Sequence, residues 1–125
     1  MTDLTNKIQS TSEIDIEELY KKYNPLFEFI KDKKQIPYLV VIIDWSIKYI
    51  KENYNDLELD WKAWSVVFLK HKYLRGKLKK ESDIYETIDD FIKHYKEKYE
   101  SYVKNLAMYV SDFDRDYGFV CNYLK

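Results

Sequence analysis

From Ile88 onward the apolar and aromatic residues advance by fours and threes without a slip: Ile88, Ile92, Tyr95, Tyr99, Tyr102, Leu106, Tyr109, Phe113. A mean step of about 3.5 residues is the seam of a helix laid against other helices. No Gly or Pro interrupts the chain from Lys77 to Tyr117. Asp83 and Glu86 have the spacing of a capping box, and Gly118 is a natural stop. Together these predict one long C-terminal helix over residues 83–117. At about 1.5 Å per residue it would extend ~52 Å. A compact domain of this length is only ~36 Å across. Such a helix overhangs its domain, bends, or is covered by a partner. The polar stretch from His94 to Ser101 is the place for the bend or the exposed portion.

A chain of 125 residues is one domain. Gly and Pro occur twice each, far below the usual shares of roughly 7% and 5%. That leaves little punctuation for a sandwich or barrel. The expected fold is all-α, a bundle of about four to five helices. Residues 1–12 are polar and read as a loose tail. Asp15 and Glu18 form a second capping box, with Ile14 and Leu19 as its hydrophobic staple. That helix reaches about Asn24. Asn24-Pro25 reads as a stop and restart, giving a short helix through Leu26, Phe27, Phe29 and Ile30 that ends at Lys31 to Lys34.

Pro37 opens the third helix. Its apolar residues form two stripes, one through Leu39, Ile42, Ile43, Ile47 and Ile50, the other through Tyr38, Val41, Trp45 and Tyr49. A helix apolar on two faces belongs inside a bundle. The β-branched run Tyr38 to Ile43 also suits a buried strand, but helical spacing continues through Ile50. Asn53 to Asp56 is a turn. The fourth helix spans Leu57 to Arg75 and stops at Gly76. Its aromatic face carries Trp61, Trp64, Phe68 and His71. The expected core is Ile42, Ile43, Trp45, Ile47, Trp61, Trp64, Phe68, Ile92 and Leu106. The apolar tail Phe119 to Leu124 is expected to dock back on the bundle.

Catalytic chemistry finds no foothold. Two isolated glycines exclude a Gly-rich phosphate loop. The single Cys121 excludes an internal disulfide and a Cys-based zinc site; it reads as a small packed hydrophobe. His71 reads as a half-buried core histidine. Glu86, Asp90 and His94 stack in one helical column, which reads as a solvated face. Asp112, Asp114 and Asp116 open like a calcium loop, but Tyr117 and Tyr123 occupy the positions that need Gly and Glu. They read as solvent-facing charges. The chain is therefore expected to be non-enzymatic, with no cofactor, metal or small-molecule substrate.

Surfaces carry the functional reading. Thirteen tyrosines and an aromatic share of 18% suit an interface, because Tyr and Trp give rigid contact area with a polar handle. Tyr95, Tyr99 and Tyr102, at the middle of the long seam, are the expected contacts to another protein or to a second copy of the chain. The alternative is nucleic acid. Lys70 to Lys80 reads KHKYLRGKLKK, offering Lys70, Lys72, Arg75, Lys77, Lys79 and Lys80 to phosphates. The Gly76 turn would let backbone amides face a phosphate. A net charge of -1 weighs against that alternative. The N-terminus carries Asp3 and no apolar run, unlike a signal peptide. No apolar run approaches the roughly 20 residues of a membrane span, so a cytoplasmic protein is expected. Ala, Arg, Gly and Pro, the residues with GC-rich codons, are all rare, which fits an AT-rich microbe or a virus or mobile element of one.

Overall fold

The structure is a computed structural model and describes residues 4–10, 14–28, 30–98, 100 and 111–125. Its regular elements are all helical, with no strand among the described residues. The helices are α1 (Leu4–Ser10), α2 (Ile16–Tyr23), α3 (Ile36–Asn53), α4 (Leu59–Leu74), α5 (Glu81–Lys93), the single turn α6 (Tyr95–Lys98) and α7 (Ser111–Leu124). Two 3₁₀ turns, Asn24–Phe27 and Lys33–Gln35, join α2 to α3.

Local chemistry explains most of the boundaries. Asp15 Oδ1 accepts the Glu18 N–H at 3.0 Å and opens α2. Asn24-Pro25 ends α2, and the chain continues as a 3₁₀ turn in place of a full second helix. Asp32 caps the second 3₁₀ turn through the Lys34 N–H at 3.0 Å. Pro37 lies in the first turn of α3, where its missing N–H costs nothing. At the end of α4, Gly76 takes φ +73°. Its N–H donates to Tyr73 O at 2.9 Å, and the Lys77 N–H donates to Lys72 O at 3.1 Å. That pair of bonds is a Schellman stop. Asp83 supports the start of α5 from inside: its Oδ2 accepts the N–H groups of Lys79 at 2.8 Å and Lys80 at 3.1 Å.

α3 and α4 form the inside of the bundle. α3 packs against α1, α2, α4, α5 and α7; α4 packs against α3, α5 and α7. Leu39, Val40, Val41, Ile42, Ile43 and Ile50 have no exposed surface. Five of the expected core residues, Ile42, Ile43, Ile47, Trp64 and Ile92, are buried. Trp45, Trp61 and Phe68 are only partly buried at its edge. Leu106 lies outside the described residues.

Three expectations are corrected. The N-terminal stretch includes the helix α1, whose Leu4 and Ile8 are each 3% exposed. The Leu4 N–H also donates to Lys79 O at 2.8 Å, which ties α1 to the α4–α5 turn. The helix expected over 83–117 is not continuous, and it breaks inside the stretch expected to bend: α5 ends at Lys93, and His94 takes φ -115° and ψ 36°. Gly118 is no stop, because α7 runs through it to Leu124. The apolar tail does dock, with Val120 and Leu124 buried and the Tyr123 hydroxyl donating to Lys22 O at 2.7 Å.

Candidate interaction surface

The tyrosines of the seam divide. Tyr95 is half-buried and lies flat on Trp61, with ring centroids 4.8 Å apart at 16°. It also meets Phe91 edge-on at 5.8 Å. Its ring is used inside the chain. Tyr99 and Tyr102 lie outside the described residues.

The basic segment is also partly spent internally. Lys70 is buried, and its Nζ lies 2.5 Å from Asp116 Oδ2. Asp116 is thus a buried partner, not a solvent-facing charge. The Lys72 Nζ donates to Thr87 Oγ1 at 3.2 Å. Lys80 is half-buried, whereas Arg75, Lys77 and Lys79 are exposed. The amides of Gly76 and Lys77 close the Schellman stop, so they do not face outward to a phosphate.

Elsewhere the titratable groups have structural surroundings. Burial, then Arg75 and Lys70, holds the half-buried His71 below its ordinary pKa. Burial raises the Cys121 thiol. His94 lies 3.9 Å from Asp90 and 4.0 Å from Glu97. Among the described residues, no group of three His, Cys, Asp or Glu side chains converges to hold a metal ion. No helix of the described residues is long and apolar enough to cross a membrane.

The tryptophans point to another surface. Trp61 stacks on Tyr95, and Trp64 stacks on Tyr117 at 4.7 Å. Trp45 has no aromatic partner among the described residues. It lines two grooves at once. One, of about 520 Å³, runs between α3 and α5 and is lined by Trp45, Lys48, Tyr49, Glu52, Glu81 and Tyr85, with Asn53 at its end. The other, of about 420 Å³, runs between α2 and α3 along Ile14, Asp15, Glu18, Leu19 and Lys22. Trp45 and Lys48 are common to both. Helical spacing brings the α3 residues together, since 45, 48, 49 and 52 fall on one face.

The floor is held by stacking and hydrogen bonds. Tyr49 stacks on Tyr85 at 4.8 Å. The Tyr49 hydroxyl donates to Asp89 Oδ1 at 2.8 Å, and the Tyr54 hydroxyl donates to the same oxygen at 2.5 Å. Burial first, then Asp89, pushes the Tyr49 hydroxyl up to about 12. At the second groove, Asp44 is buried, accepts from Tyr23 at 2.8 Å and pairs with Lys48 at 3.0 Å. Apolar stripes on two faces of α3 predict a buried Trp45, but the charges beside it, Lys48 and Glu52, mark that face as an edge.

Comparison with known proteins returns no match to the chain among family models, curated proteins or solved structures.

Proposed function

We propose that the protein is a non-enzymatic binding module that docks another protein on the α2–α3–α5 surface centred on Trp45. One observation carries this reading: Trp45 is a partly exposed tryptophan, unpartnered by another ring among the described residues, at the junction of two grooves. Tryptophan and tyrosine dominate interface energy when a partner excludes water from them. Charged rims around an aromatic centre have the anatomy of a protein interface. Of the two surfaces expected from sequence, Tyr95 stacks on Trp61 and Lys70 pairs with Asp116 inside the chain. The low share of GC-rich-codon residues suits a factor encoded by a virus or mobile element.

Immobilised protein and its Trp45→Ala variant, compared for retained partners and for mass by light scattering, test the reading. Retention by the parent and loss in the variant are expected. A strict monomer that retains nothing, or a variant that retains the same partners, would count against it.

A further inference from the structure

The two grooves that meet at Trp45 carry charge mainly of one sign. Glu52 and Glu81 line the α3–α5 groove, and neither has an ion-pair partner among the described residues. Asp15 and Glu18 add two more carboxylates along α2. Two amines oppose them. Lys48 is offset by Asp44 at 3.0 Å, and the Lys22 Nζ lies over the Tyr23 ring, 5.3 Å from its centroid. Four carboxylates along the track therefore face one ammonium, that of Lys22, whose charge no ion pair among the described residues offsets.

The aromatic floor has the same sign. The Tyr49 hydroxyl donates a hydrogen bond to the Asp89 carboxylate, and its ring stacks on both Tyr85 and Tyr54. Tyr85, stacked on it, has its hydroxyl raised by burial and then by Glu81 and Glu52. Cations bind best over Trp, then Tyr, and bind more strongly where carboxylates stand beside the ring.

We propose that this track takes a lysine- or arginine-rich segment of a partner protein, with one cation seated against Trp45 and Tyr85 between Glu52 and Glu81. The two grooves, about 520 and 420 Å³, have room for several side chains in succession and exceed what one small ion needs. This inference rests on the docking reading of the Trp45 surface.

A displayed library of random short peptides, selected on the intact protein at physiological salt, tests it. Enriched sequences are expected to carry net positive charge through Lys or Arg. Their affinity should fall about tenfold or more in the Glu52→Gln/Glu81→Gln double variant, as for close interfacial charge pairs. Trp45→Ala should lower it about thirtyfold, as for an interface anchor. The two Gln substitutions are isosteric and on the rim, so a circular dichroism spectrum like the parent's is expected. Enrichment of neutral or acidic peptides that still need Trp45 would overturn the charge inference and leave the docking reading standing. Enrichment indifferent to Trp45 would overturn both. Enrichment of sequences like Lys70 to Lys80, together with a dimer in light scattering, would replace the partner by a second copy and overturn the proposal as stated.

Discussion

At the scale of single residues, the fold turns two surface charges of the sequence into a buried pair. Lys70 reads as one cation of a basic run, and Asp116 as one acid of an alternating series. They meet at 2.5 Å with side chains 11% and 3% exposed. Nothing local joins residues so far apart, so the pair was not legible before the helices were packed. Its stability signature is specific. Lys70→Met should cost about 3–5 kcal/mol in chemical denaturation, because it removes the ammonium that pairs with a buried carboxylate. Adding Asp116→Leu should recover most of that loss. If Lys70→Met were neutral, the pair would not be structural and the phosphate-binding role of Lys70 would regain ground. The tyrosines give a second test. Burial first, then Asp89, raises the Tyr54 and Tyr49 hydroxyls, the latter to about 12. Burial and then Asp44 raise Tyr23, and Tyr73 is pushed by burial to about 12. A phenol in the unfolded chain ionises near pH 10. Raised folded values therefore stabilise the fold fully below about pH 10, and that contribution is lost as pH rises toward 12 and beyond. Tyrosinate absorbance should appear together with loss of helix in a cooperative alkaline transition. Titration of these tyrosines near pH 10 with the helix intact would contradict their placement.

At the scale of elements, the caps and the inner helix were legible, and the ends of the chain were not. Pro37, Asp15 and Gly76 each act through their own backbone neighbours, so local spacing reveals their roles. α1 has only two buried apolar anchors, Leu4 and Ile8, and depends on a bond to Lys79 O. The heptad pattern runs through His94 without a slip, yet the helix ends there and Tyr95 packs on Trp61 and Phe91. Periodicity records which side chains prefer burial; it does not record where a helix turns to reach a neighbour. The two glycines separate local from tertiary causes. Neither would bring a Cβ within 4 Å of another group, so backbone conformation alone decides the effect. Gly76→Ala forces alanine into the left-handed region and should cost about 1–2 kcal/mol. Gly118→Ala, inside α7, should stabilise by about 0.5–1 kcal/mol. Thermal melts of the two variants should move in opposite directions; movement in the same direction would refute the assignment of one glycine as a stop and the other as helix interior.

At the scale of the whole molecule, α3 and α4 carry the core, and the outer helices α2 and α5 leave two grooves on either side of Trp45. The all-α class was legible from the scarcity of Gly and Pro, and the central place of α3 from its two stripes. The proposed interaction surface was not, because an aromatic on a mixed stripe looks the same whether it faces a core or a partner. Stability distinguishes the cases. Trp64, 6% exposed and stacked on Tyr117, should cost roughly 3–5 kcal/mol when truncated to Ala. Trp45→Ala should cost clearly less in the same melt; equal losses would return Trp45 to the core. The most direct measurement of the central claim is site-specific photo-crosslinking at two exposed positions, Lys48 beside Trp45 and Glu97 beside Tyr95, whose side chains are 67% and 84% exposed. A crosslinked partner is expected from position 48, competed away by excess parent protein and not by Trp45→Ala. Equal products from both positions, or competition by Trp45→Ala as strong as by the parent, would contradict the assignment of Trp45 as the anchor.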